Sequence, residues 1–138
     1  MADFTVVPAN VIASAGAKTT QGITGTTALT AGESVARNTD GTIIPFKANG
    51  AAPQNVLVGC ALHGSLTGQP IVYVTFDPNY TPGFALTAIG DAVLGSGANA
   101  GGLCPDADKA TGWYVTEVGR AISLTQIKLN IVAVGVAR

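Results

Sequence analysis

One five-residue phrase constrains this chain more than any other, because it occurs twice. Val58-Gly59-Cys60-Ala61-Leu62 and Val118-Gly119-Arg120-Ala121-Ile122 share the pattern apolar, Gly, any, Ala, apolar, with their glycines 60 positions apart. Pro45, closing Gly41-Thr42-Ile43-Ile44-Pro45, and Pro105, closing Gly101-Gly102-Leu103-Cys104-Pro105, repeat that spacing of 60. Upstream, Leu29-Thr30-Ala31-Gly32-Glu33-Ser34-Val35 is echoed by Leu86-Thr87-Ala88-Ile89-Gly90-Asp91-Ala92-Val93, with the offset slipping to 57 or 58. Downstream, Pro70–Val74 parallels Ile127–Ile131. A recurring period of this kind sets the fold before any single element does. It predicts a tandem pseudo-repeat over about 28–77 and 85–137, preceded by an N-terminal arm, 1–27, of different composition.

The local pattern is that of strands. Asn38-Thr39-Asp40-Gly41 is a hairpin signal between two short alternating runs. Pro45 places its run at an edge or a bulge. Asn55–Leu62 is short and apolar throughout, as a strand covered on both faces is. Pro70–Phe76 is the clearest strand of the first half, Asp77–Gly83 reads as a linker of turn formers, and Val132–Ala137 reads as a last buried strand. No apolar stripe of helical period has useful length. Many short strands between frequent turns define an all-β chain, a compact β-barrel or sandwich. Within the arm, Phe4, Val6 and Val7 make a brief β-like start that could add to a neighbour's sheet edge.

Composition removes several function classes. Only 15 of the 138 residues are charged, the net charge is −1, and the seven Lys and Arg are scattered. No basic stripe exists for nucleic acid and no polybasic patch for lipid. Gly, Thr and Pro interrupt every uncharged stretch, so none reaches the length of a membrane span. The N-terminus lacks the basic start and apolar block of a signal peptide, so synthesis in a cytoplasm is expected. So little surface charge leaves an isolated monomer poorly protected against association, and an oligomer or larger assembly is one remedy.

Candidate chemistry is thin. His63 is the one histidine, and Cys60 and Cys104 are the two cysteines, so a four-ligand zinc site of N and S atoms is excluded within one chain. Ser65, His63 and Asp77 could be nominated as a triad, without a nucleophile-elbow pattern around the serine. Asp106 and Asp108 have calcium-loop spacing but lack its later ligands. Gly95-Ser96-Gly97 has no following Lys and is not a phosphate loop. Trp113, Tyr114, Tyr73, Phe76 and Tyr80 are candidates for a sugar platform, or for core and interface anchors. No catalytic residue, cofactor or metal is expected.

The phrases Leu29–Val35, Asp40-Gly41-Thr42-Ile43-Ile44-Pro45 and Val58-Gly59-Cys60-Ala61-Leu62, with Val118-Gly119-Arg120-Ala121 near the end, resemble small capsid-cement, or head-decoration, proteins of tailed bacteriophages. The resemblance covers about residues 28–137. It implies a compact β-barrel, gathered as a homotrimer on the outer capsid surface and bound to the major capsid protein, where it braces the expanded shell. The virion surface is then the expected location, after synthesis in the host cytoplasm, with no direct contact to nucleic acid or membrane. The arm and the Asp77–Gly83 stretch depart from the smaller members. Phe4, Val6 and Val7 are the residues expected to touch the capsid. Two alternatives stand beside this one: a receptor- or carbohydrate-binding β module of a phage fibre or spike, using Trp113, Tyr114 or Tyr80, and a small β-barrel hydrolase using His63.

Overall fold

The computed structural model describes residues 3–136. They form an all-β chain of ten strands: β1 (Val11–Ile12), β2 (Lys18–Ile23), β3 (Ser34–Arg37), β4 (Ile43–Pro45), β5 (Leu57–Ala61), β6 (Pro70–Pro82), β7 (Ala92–Gly95), β8 (Leu103–Pro105), β9 (Tyr114–Ala121) and β10 (Ile127–Val136). Two single-turn 3-10 helices, Pro8–Asn10 and Asp106–Asp108, are the only helical turns among the described residues.

The long strand β6 organises the sheet. Val74 faces Cys60 of β5 on one side and Thr19 of β2 on the other; Phe76 faces Asn130 of β10 and Lys18 of β2. β5 and β10 therefore lie one after the other along the same edge of β6, and β2 lies along the opposite edge. Two wings leave that shared edge, β5–β3–β4 and β10–β9–β7–β8, all pairings antiparallel. The first wing curls until the end of β2 meets β4 through one parallel bridge, Thr24 to Ile43.

The two wings are stitched at corresponding residues. Val35 of β3 faces Pro45 and Gly59; Val93 of β7 faces Pro105 and Gly119. A register shift follows each of these valines. Ahead of each, the same turn recurs: Gly32 N–H donates to Ala61 O and Gly90 N–H to Ala121 O, while the Glu33 carboxylate accepts from Thr30 N–H and the Asp91 carboxylate from Ala88 N–H. The glycines of the five-residue phrase sit at the tightest point. A Cβ on Gly59 would lie 2.4 Å from Val74 O, and one on Gly119 2.4 Å from Lys128 O. By this pairing Tyr73, opposite Ala61, occupies the place of Ile127, opposite Ala121, so the expected match of Pro70–Val74 with Ile127–Ile131 is out of step.

Corresponding residues nonetheless face different neighbours, because the wings stack front to back. The main core lies between them: Ala36, Phe46, Leu57, Cys60 and Val74 from the back of the first wing meet Val93, Leu103, Val118, Ala121 and Leu129 from the front of the second. The first wing's own front, Val35, Ile43, Ala61 and Tyr73, closes on Leu29 and Ile71 in a second cluster. Behind the second wing, where Leu57, Cys60 and Val74 would have their counterparts, stand Glu117, Arg120 and Lys128. Glu117 and Arg120 pair at 2.8 Å, and the Arg120 side chain remains 64% exposed. Charge thus replaces apolar contact at these three positions, beside a small buried cluster of Leu94, Cys104 and Val115.

Three expectations are corrected. The segment expected as a separate arm is part of the sheet: β2 runs beside Pro70–Phe76, and Val11 and Ile12 pair with Pro82 and Thr81. Long-range pairing outweighs a composition of Thr, Ala and Gly, since β6 would otherwise present a bare edge. Residues 77–82, expected as a linker, continue β6. Proline lacks the donor a ladder needs, and the ladder to β10 breaks register between its Tyr80 and Asp77 partners, across Pro78 and Asn79. Finally, Val132–Ala137 is not a buried strand. β6 accompanies β10 only to Asn130, beyond which β10 pairs with β9 alone, leaving Val132 44% and Val134 64% exposed; Ala137 lies outside the described residues.

Candidate functional site: an uncharged apolar groove

The segment Asp3–Val7 straps one end of the molecule. Phe4 N–H donates to Leu103 O at 2.8 Å and Val7 N–H to Gly83 O at 2.9 Å. The Asp3 carboxylate accepts from the buried Ser96 hydroxyl at 2.9 Å and from Asn99 Nδ2 at 3.0 Å. The Phe4 ring stacks on Phe84, centroids 4.2 Å apart. An extended backbone sends successive side chains to opposite sides, and that alternation sorts the three residues expected to touch a capsid. Phe4 is half-buried against the main core, Val6 is half-buried over Gly32, and Val7 is 45% exposed.

Beside the strap runs an open groove of about 680 Å³. Phe4, Val7, Ile12, Phe84 and Ala85 supply its apolar surface, and Thr5, Asn10, Thr81 and Thr125 its neutral polar groups; no charged side chain lines it. Leu124, exposed, precedes the lining residue Thr125 and accepts a backbone bond from Leu86; Ile89 and Ile122, also exposed, flank the bond from Gly90 to Ala121, where Arg120 donates to Gly90 O. Sequence reasoning found Phe4 and Val7 but missed Ile12, Phe84 and Leu124. These are isolated apolar residues in turns and short strands, and only the fold brings them together.

The residues nominated for other chemistry are engaged elsewhere. His63 is exposed; its Nε2 accepts from Val72 N–H at 3.1 Å and its Nδ1 lies 2.8 Å from Gly64 O, so its ring staples the β5–β6 turn. Ser65 is buried and bonded to Thr24, Gln69 O and Pro70 O. Asp77, fully buried, accepts from the Ser14 amide and hydroxyl and from Asn79 N–H. No hydrogen bond joins His63, Ser65 and Asp77 to one another. Asp106 pairs with Lys109 at 3.2 Å, and no cluster of three or more metal-ligating side chains occurs among the described residues.

Cys60 and Cys104 are free and buried, and burial pushes both thiols up to about 12, with Asp3, Asp108 and Asp106 adding to the effect at Cys104. Tyr80 is fully buried, and burial, then the neighbouring Cys60 and Asp77, hold its hydroxyl well above the usual tyrosine range. It is no surface platform. Trp113 is half-buried and packs on two core clusters. No helix among the described residues is long and apolar enough to cross a membrane.

Comparison with family models, curated proteins and solved structures finds no match in any of the three.

Proposed function

We propose that this chain is a capsid-decoration protein of a tailed bacteriophage, binding the outer surface of the expanded shell through the apolar end of the molecule. The observation that carries the reading is the uncharged apolar groove beside the Phe4–Val7 strap, with Leu124 exposed next to its lining residue Thr125, in a chain whose strand phrases resemble cement proteins. A shell-bracing protein needs a stiff body with broad contacts. Weak contacts repeated over a shell gain strength from effective concentration. The glycan-binding alternative draws less support, since Tyr80 is buried and Trp113 is engaged in packing.

The test is co-sedimentation with capsids of the phage that encodes the chain, before and after expansion. Saturable binding to expanded shells, in fixed ratio to capsid subunits, is expected, and Leu124→Asp should weaken it at least tenfold. Absence of binding to either form would refute the reading.

A further inference from the structure

Of the asparagines in this chain, Asn49 alone is followed by glycine. A backbone nitrogen can attack the side-chain amide carbon of the residue before it, and a side chain on the attacking residue hinders that approach. Glycine has none. The other asparagines precede Val11, Thr39, Val56, Tyr80, Ala100 and Ile131.

Two further conditions belong to the structure. The asparagine side chain must be free to turn over the next peptide unit, and that unit's N–H must be free to lose its proton. Asn49 is exposed, and its side chain makes no hydrogen bond to a described residue. Gly50 N–H donates to Lys47 O at 3.0 Å, closing a turn at the surface. That bond can open without disturbing the sheet, because the chain beside it is anchored independently. Ala48 N–H donates to Ser96 O, Ala48 O accepts from Tyr114 N–H, and Lys47 N–H donates to Gln54 O. Surface turns open locally while the rest of a protein stays folded. Packing also explains the glycine: a Cβ on Gly50 would lie 2.8 Å from Gln54 Oε1 and 3.2 Å from Lys47 O. The turn that favours glycine thereby keeps the reactive pair.

The Asp40-Gly41 pair has the opposite arrangement. Asp40 Oδ1 accepts from Thr42 N–H at 3.0 Å and from the Thr42 hydroxyl at 2.6 Å. These bonds hold its carboxyl below the ordinary aspartate range. It stays ionised, and a carboxylate is a poor target for a nucleophile.

We propose that Asn49 is a site of spontaneous covalent modification, its side-chain amide leaving as ammonia through a succinimide closed by the Gly50 backbone nitrogen. The bond from Gly50 N to Asn49 Cγ forms, the Cγ–Nδ2 bond breaks, and the proton lost from Gly50 N is balanced by the one Nδ2 gains on leaving. Water then opens the ring at either carbonyl, giving aspartate or isoaspartate. The product sets a negative charge just ahead of Ala51, in the wall of a hollow lined by Thr26, Thr27, Asn38 and Gln54 and by no charged side chain. The inference does not rest on the decoration reading.

The test is incubation of the full folded chain at mildly alkaline pH, followed by tryptic digestion and mass spectrometry. Cleavage after Arg37 and Lys47 puts Asp40 and Asn49 on separate peptides, and fragment ions locate the change. Acid is expected at position 49 ahead of every other asparagine, part of it as isoaspartate that an isoaspartyl methyltransferase labels. The folded rate should lie within tenfold of the rate in the urea-unfolded chain. Gly50→Ala should slow the reaction at least tenfold, whether or not that variant folds, because the hindrance is local. A folded rate more than tenfold below the unfolded one overturns the inference, since the Lys47–Gly50 turn then stays closed. So does earlier reaction at another asparagine or at Asp40, or a Gly50→Ala protein that reacts at the wild-type rate.

Discussion

Gly119 has Lys128 O and Leu129 Cα where its own Cβ would stand, at 2.4 and 3.1 Å, and both obstacles are backbone. A side chain there displaces a strand, since no neighbouring rotamer can yield. Gly119→Ala is expected to lower stability by roughly 1–3 kcal/mol, the range for overpacking a tight site, read from the urea midpoint; a wild-type midpoint would sink the close-approach argument. The buried thiols set a second expectation. Their folded values, about 12, stand above the ordinary thiol value of 9.0. Between those limits the unfolded chain has released protons that the native chain still holds, so stability must fall as pH rises. For fully buried Cys60 the loss approaches about 1.4 kcal/mol per pH unit above pH 9, and Tyr80 acts in the same direction. Cys60→Ala should flatten the alkaline limb of the urea midpoint against pH. An unchanged limb in that variant would assign the loss to other groups.

Strand pairing decides what the N-terminal twenty residues are. Read as composition, Ala9–Thr27 has little to bury and looks like an arm; in the sheet it covers the far edge of β6 and brings Ser14 to the buried carboxylate of Asp77. Deleting residues 2–20 therefore removes β1 and half of β2 and leaves Asp77 without both Ser14 donors, with Asn79 N–H alone remaining. The truncated protein should be insoluble or markedly destabilised, and Ser14→Ala alone should lower stability by roughly 1.5–3 kcal/mol, the worth of a hydrogen bond to a charged group. Full solubility and a native urea midpoint after truncation would restore the arm. The elements that were legible beforehand are those specified by their own residues. The Asp40-Gly41 turn between β3 and β4, the apolar run of β5 and the twin phrases around Gly59 and Gly119 all lie where local pattern placed them. The elements misjudged depend on a distant partner: β1 and β2 on β6, the Asp77–Pro82 half of β6 on β10, and the exposure of Val132 and Val134 on where β6 turns away. The groove was half legible for the same reason, because Phe84 meets Phe4 only through the fold.

At the scale of the molecule, the accessible surface of 6545 Å² matches the ~6,600 Å² expected of a compact monomer of this mass. The chain thus completes its own core, and any association joins folded bodies. The front-to-back stacking of the wings has a consequence for how that core is lost. Leu57 and Cys60 belong to the first wing, Val93 and Val118 to the second, and all four are buried in one cluster. Neither wing retains a full core without the other, so unfolding should be a single cooperative step. Trp113 reports on the second wing, where it packs beside Leu94, Cys104 and Val115, and on the core the wings share, whereas far-UV circular dichroism reports on all strands. At sub-micromolar protein the two signals should trace one urea transition, with a midpoint independent of concentration. A tryptophan transition that precedes the dichroism change would mean that the second wing melts alone and that the contact between wings is weaker than its burial implies. A midpoint that falls on dilution would mean that the isolated chain is not the folded unit, and that assembly completes the core it otherwise lacks.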